Sequence, residues 1–405
     1  MRLLVLCPHF TPDVAPTGEV MTRIVEELVA RGHEVEVVTS LPWYRDHAIE
    51  DGWGGKLVRR ETTAWGRIFR INPFPTADRR NLLRRALSFG GFTIVATVVG
   101  SLGRRVDAVI AMSPPLTLGP AGWIASLFRR APFLFNVQDV YPDVAVEVGA
   151  ITNRHAIRVL SWLERFSYAR SDAVTVLSRD LEENLAKKMK DPSKIHVIPN
   201  FVDTEWISPA ARENSYRGEL GLTDETVVLY AGNIGYSQPL EMLVEAARRY
   251  ASRHDVHFVV NGSGSGREAI EASAAGLANI TFVDLQPKER LPEVLAAGDI
   301  HLVLLREGLA ASSVPSKTYS ILASGRPLVV SVDVNSEVAL LVEEARAGRA
   351  VPPEDTEAFV AALGELIDDP EERDRAGASA RAAVETRFSP AAVAEAYEGL
   401  IDELG

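Results

Sequence analysis

Residues 1–38 read MRLLVLCPHFTPDVAPTGEVMTRIVEELVARGHEVEVV. The apolar run from Met1 to Cys7 has the length of a buried strand, after which the chain turns at Pro8, Pro12 and Pro16. Between Thr17 and Arg31, Val20, Ile24, Val25, Leu28 and Val29 recur at helical spacing. Gly32 supplies the stop, and Val35, Val37 and Val38 begin a second strand. Strand, helix and strand within about 40 residues form a βαβ unit, which requires parallel pairing.

The same alternation continues on both sides of a boundary near 203. Strand-like runs stand at Asp107–Met112, Phe133–Val137 and Ala173–Leu177, and the half closes near Lys194–Asn200. A second series opens at Thr226–Ala231, with a helical pattern from Leu240 to Tyr250. It continues with strands at His257–Val260, Ile280–Val283, Ile300–Leu305 and Leu328–Ser331. The expected fold is α/β, with two doubly wound, Rossmann-like parallel-sheet domains facing a central cleft. Their expected bounds are 1–203 and 204–385, followed by an amphipathic helix in 386–405. In such sheets ligands bind beyond the carboxyl ends of the strands, where the strand order reverses.

Composition narrows the function. The 405 residues carry 43 Lys and Arg against 55 Asp and Glu, a formal charge of −12, which argues against a nucleic-acid coat. The single cysteine, Cys7, rules out an intramolecular disulfide framework and a cysteine-based zinc site, and its apolar run marks it as a small buried hydrophobe. No charged leader with a cleavage site opens the sequence, so a cytoplasmic chain is expected.

Several loops fall where a phosphate or a sugar would sit. Pro16-Thr17-Gly18-Glu19 opens the first helix, and Gly18 lets backbone approach a ligand beside free amides. The matching loop of the second half is Tyr230 to Pro239, with Gly232, Asn233, Gly235 and Gln238. Gly262-Ser263-Gly264-Ser265-Gly266 follows another strand and lacks the spacing of the dinucleotide fingerprint. The most informative piece is Ser313-Val314-Pro315-Ser316-Lys317 before a helix over Thr318–Ser324. Pro315 suits a first helical position, leaving the amides of Ser316 and Lys317 unpaired beside the Lys317 ammonium. Amide donors plus one ammonium are what a diphosphate leaving group needs. In the first half, Asn136-Val137-Gln138-Asp139-Val140-Tyr141-Pro142 brings polar groups to a strand end, where Asp139 would orient a hydroxyl or cap the next turn.

Taken together, these pieces resemble the family 4 glycosyltransferases of the GT-B fold. The resemblance rests on the Gly18 loop, Ile198-Pro199-Asn200-Phe201-Val202-Asp203, Ala231-Gly232-Asn233-Ile234, Gly262-Ser263-Gly264, Leu322 to Val329 and Arg387-Phe388-Ser389. It implies retaining, metal-independent transfer from a nucleotide-diphosphate sugar, UDP-sugars favoured, with no cofactor. The C-terminal domain would hold the donor through Gly232, Asn233, Gln238, Gly262, Glu307, Ser316, Lys317 and Ser320, with Gly18 of the N-terminal domain adding a donor contact. The last helix, in 386–405, would cross back to the N-terminal domain. Gln138 and His9 would lie on the acceptor side, and Asp139 and Lys317 would be catalytic. The family's usual Arg and Lys of the donor loop stand here as Asn233 and Gln238, its second acid as Ser320, and the His before the acceptor-side Asp as Gln138. Ser312 occupies the counted place of the first acid, while Glu307-Gly308-Leu309 matches that acid's local context. These departures resemble a bacterial branch that builds surface polysaccharides, in which Lys317 takes over the diphosphate contact. The acceptor is then a lipid-linked or small glycan.

Residues 79–105 bear on that acceptor. Arg79, Arg80, Arg84 and Arg85 precede the apolar stretch Ala86–Leu102, and Arg104 and Arg105 follow it. At roughly 17 residues the stretch fits an interfacial helix on the inner face of the cell membrane, a plain core helix or, at the limit, a span. A sugar-nucleotide epimerase or hydrolase, or a degenerate sugar-nucleotide-binding protein on the same scaffold, are the alternative functions. A dehydrogenase fits poorly, because neither half carries the full glycine fingerprint with its following acid.

Overall fold

The structure, a computed structural model, describes residues 1–45, 48–74, 82–147, 151–309 and 317–405, with backbone only for 82–89 and 147. These residues form two units, Met1–Asn200 with Pro390–Gly405, and Phe201–Ser389.

The first unit runs β1 (Arg2–Leu6), α1 (Pro16–Ala30), β2 (Glu34–Ser40), β3 (Val58–Thr63), β4 (Gly66–Ile71) and α2 (Leu82–Ser101). It continues with β5 (Ala108–Ser113), α3 (Leu118–Arg129), β6 (Phe133–Val137), α4 (Asp143–Glu147), α5 (Arg154–Arg170), β7 (Ala173–Val176), α6 (Arg179–Ala186) and β8 (Ile195–Val197). The strand order is β3-β4-β2-β1-β5-β6-β7-β8. Every pairing is parallel except β3 with β4, a hairpin that the sequence reading did not foresee. The central strands read as unbroken apolar runs because helices cover both faces, and Leu3 to Cys7 are wholly buried. Burial pushes the Cys7 thiol up to about 12, consistent with a packing role.

The second unit runs α7 (Ser215–Glu219), β9 (Thr226–Asn233), α8 (Glu241–Arg249), β10 (Val256–Ser263), α9 (Arg267–Ser273), β11 (Ile280–Val283), α10 (Leu291–Ala297) and β12 (Ile300–Leu304). Then come α11 (Lys317–Ala323), β13 (Leu328–Ser331), α12 (Glu337–Glu344), β14 (Gly348–Val351), α13 (Thr356–Asp368) and α14 (Pro370–Arg387). Its sheet is parallel throughout, in the order β11-β10-β9-β12-β13-β14. Two large apolar clusters, one around Phe258 and Phe359 and one around Tyr319 and Leu322, sandwich it.

The last helix, α15 (Pro390–Leu404), is part of the first unit and packs on α1. Its Glu398 pairs with Arg31 at 2.6 Å and with His33 Nε2 at 3.0 Å. Its buried Tyr397 hydroxyl accepts from Asn136 Nδ2 at 2.7 Å.

Candidate active site

In the second unit the strand order reverses between β9 and β12, so the loops that leave these two strands diverge and open a crevice at the sheet's carboxyl edge. The end of β9 and the loop after it hold Gly232 to Gln238, and the chain after β12 leads to α11, whose first residue is Lys317. The half-buried Lys317 ammonium lies 3.8 Å from the centroid of the Tyr230 ring. A Cβ on Gly232 would stand 3.7 Å from its Nζ, an ordinary contact distance, so the ammonium lies directly against the end of β9. Gly232 has φ +144, a conformation that favours glycine. Among the described residues no carboxylate pairs with Lys317. Burial without a counter-ion pulls its pKa down to about 7.

Around it the tips of β9 and β10 are locked together. Gly262 pairs with Gly232, and a Cβ there would come within 2.0 Å of the Gly232 carbonyl oxygen. Ile234 N donates to the Ser263 carbonyl at 2.8 Å. Gln238 Oε1 accepts from Gly235 N at 3.1 Å and from Asn233 Nδ2 at 3.3 Å, closing its own loop. Ser320 sits half-buried one turn into α11, and Glu307 is exposed in the turn after β12. Ser316, with Ser312, Ser313 and Pro315, lies outside the described residues, as do Arg79 and Arg80.

In the first unit the reversal falls between β1 and β5. The loop after β1 carries His9, whose Nδ1 stands 2.6 Å from Asp13 Oδ2. Asp13 Oδ1 in turn accepts from Tyr44 N at 3.1 Å, and its buried carboxylate, which can only accept, orients the ring through Nδ1. The ring stacks on Trp43 at 5.7 Å and meets Tyr44 edge-on at 5.3 Å. Gly18 serves this arrangement, since a Cβ there would lie 2.7 Å from His9 Cβ. Beyond β6, the buried Gln138 donates to Asn136 Oδ1 and accepts from Asn200 Nδ2, each at 2.9 Å. Asp139 beside it is half-buried, and burial raises its carboxyl above the usual range.

Sequence reading named His9 without Asp13, although a carboxylate four residues on is the signal for such a pair. It also passed over Tyr230, whose part depends on a contact with a residue 87 positions away. Among the described residues no three His, Cys, Asp or Glu side chains gather as a metal site.

Residues 17–200 match the family described as glycosyl transferase 4-like domain, and residues 225–369 match glycosyl transferases group 1. The chain belongs to the family 4-type glycosyltransferases. An Escherichia coli protein named as a colanic acid biosynthesis glycosyl transferase is 28% identical over 378 residues, covering 91% of this chain and 92% of that one. The fold is shared with sucrose-phosphate synthase of Thermosynechococcus elongatus, at a TM-score of 0.72 and 20% identity over 100% and 99% of the two chains. It is shared too with Anabaena HepE in complex with UDP-glucose, at 0.68 and 15% identity over 100% of both. This glycosyltransferase therefore has the two parallel-sheet α/β domains of the GT-B enzymes.

Proposed function

We propose that this glycosyltransferase moves a sugar, with retention at the anomeric carbon and without a metal ion, from a UDP-sugar to a lipid-linked or small glycan acceptor. The product would enter a cell-surface polysaccharide or glycoconjugate. The observation that carries this reading is Lys317, a half-buried ammonium with no carboxylate partner among the described residues, at the switch point of the second sheet. A cation buried without a counter-ion is costly unless an anion joins it, and a donor diphosphate supplies one. The UDP-glucose complex of a protein with the same fold supports the choice of uridine, and the colanic acid relative supports the polysaccharide setting.

Transfer then needs little covalent help from the chain. The bond between the anomeric carbon and the β-phosphate oxygen breaks, and Lys317, through its ammonium and its backbone amide at the start of α11, takes up the charge that develops on the phosphate. The acceptor hydroxyl attacks the same face of the sugar, and its proton passes to the departing phosphate oxygen. Asp139 and His9, at the carboxyl edge of the first sheet, orient that hydroxyl. The charge-stabilising part of a divalent metal is thus taken by an ammonium.

A panel of UDP-, GDP-, dTDP- and ADP-sugars, offered with and without a polyprenyl-diphosphate glycan and with and without EDTA, tests the assignment. The expected result is EDTA-insensitive transfer from a UDP-sugar, with the anomeric configuration of the donor kept in the product by NMR. Epimerised or hydrolysed sugar without acceptor dependence would replace this reading with the epimerase or hydrolase one.

A further inference from the structure

Helices α2, α3 and α5 lie side by side on one face of the first sheet, with α3 between the other two. Their crossovers run in the same direction across the strand order, which sends right-handed connections to the same face. Thr93 Oγ1 donates to Thr117 Oγ1 at 2.7 Å and ties α2 to the start of α3, while Trp123 of α3 meets Phe166 of α5 edge-on at 5.4 Å. The outer surface of this layer is apolar along three ridges. On α2, Ile94 and Val98 stand one turn apart with Leu102 just beyond, and Ile94 is 67% exposed. Phe128 at the end of α3 is 70% exposed and Trp162 on α5 60%. Side chains of this size in contiguous rows mark a surface that something covers.

The charges around the ridges say what covers it. Arg104, Arg130, Arg154, Arg158 and Arg165 are exposed on or next to these helices, and among the described residues none pairs with a carboxylate. The three helices contain one acid, Glu164, which is buried against Lys188 and Tyr168. This is a basic, apolar face on a chain whose formal charge is −12. We infer that the α2–α3–α5 face docks the enzyme on an anionic lipid surface, with Phe128, Trp162 and the α2 ridge in the interfacial layer and the five arginines on headgroup phosphates. Aromatic and aliphatic ridges rimmed by unpaired guanidiniums suit that boundary. A second copy of the chain suits it poorly, because a two-fold contact would set these guanidiniums against their own copies. The inference deepens the lipid-linked acceptor reading by naming the surface that meets the membrane.

Sedimentation of the full chain with vesicles tests it, using phosphatidylcholine alone and phosphatidylcholine with about a third phosphatidylglycerol. The chain should pellet with the anionic vesicles only, and about 0.5 M salt should release most of it. Arg158→Gln with Arg165→Gln should lower the partition constant by at least about tenfold. Phe128→Ser with Trp162→Ser should weaken it by a similar factor, and both pairs sit on exposed positions where folding is little affected. Transfer to a soluble acceptor should be unchanged in both. Equal pelleting of wild type and both variants overturns the docking surface, as does wild-type dimerisation in light scattering that both variants abolish. A chain that transfers sugar but stays in the supernatant loses the docking surface and keeps the transfer reading; loss of transfer with intact pelleting does the reverse.

Discussion

The Lys317 ammonium sits 3.8 Å from the centroid of the Tyr230 ring. The ring face offers a cation partial compensation without a counter-ion. Tyr230 is itself held, its hydroxyl donating to the Asn233 carbonyl. The ammonium is thereby pre-placed beside Gly232, uncommitted to any described carboxylate, where an anion would complete its coordination.

Such a group should cost the empty enzyme stability. With its pKa lowered to about 7 in the folded chain against 10.5 unfolded, the unfolded chain binds more protons between these values, so stability rises with pH across that window. Lys317→Met should raise Tm by roughly 2–4 °C at about pH 6, with a gain that shrinks toward pH 10. Scanning calorimetry at both ends of the window checks the sign.

Donor affinity should run the other way. A UDP-sugar diphosphate does not titrate near neutrality, so the lysine sets the dependence. Below pH 7 the ammonium is already formed and Kd should be flat; above it binding must take up a proton, and Kd should rise by up to about tenfold per unit. Lys317→Arg should flatten that rise, because a guanidinium stays charged. Titration calorimetry in buffers of different ionisation enthalpy would count the proton.

The paired strand tips tolerate no side chain. Gly262→Ala would drive a Cβ to 2.0 Å from the Gly232 carbonyl oxygen, a backbone atom that cannot swing aside. A loss of roughly 2–4 kcal/mol is expected, together with weaker nucleotide binding. Gly54→Ala, where nothing lies within 4 Å of the added carbon, should change stability by less than about 1 kcal/mol. Urea unfolding of the two variants makes the comparison.

Asp13→Asn keeps the shape beside His9 and removes the charge that fixes its ring. Turnover should fall by roughly tenfold or more, with KM for the donor little changed, because the pair lies in the first unit, which is proposed to hold the acceptor. Steady-state kinetics with donor and acceptor varied separately would show the split.

Much of this was legible in the sequence, and the exceptions have physical causes. The βαβ reading of residues 1–38 and the strands Phe133–Val137, Ile280–Val283 and Leu328–Ser331 stand as read; Phe133–Val137 and Leu328–Ser331 are wholly buried, and Ile280–Val283, a half-buried edge strand, still carries a mostly apolar β-branched and aromatic run. Val58–Thr63 escaped because VRRETT is an edge strand with three consecutive charged residues, Arg59, Arg60 and Glu61, and Gly348–Val351 because Gly348 and Arg349 break its apolar run. The pieces of the candidate site were visible as loops with glycine, proline and a lysine. Their mutual placement was not, since Tyr230 reaches Lys317 only through the β9–β12 neighbourhood. The Ala86–Leu102 stretch read as interfacial, core or spanning; its helix is α2, and no described helix is long and apolar enough to cross a membrane. Its outward partners on α3 and α5 come into view only when topology sets three helices on one face.

Titrating UDP-glucose into wild type and Lys317→Met at neutral pH reaches the centre of the account. A Kd weakened by at least about a hundredfold in the variant, with the fold intact by circular dichroism, is the expected result. An unchanged Kd would mean that the diphosphate is gripped elsewhere, and the assignment of this ammonium to the leaving group would be wrong.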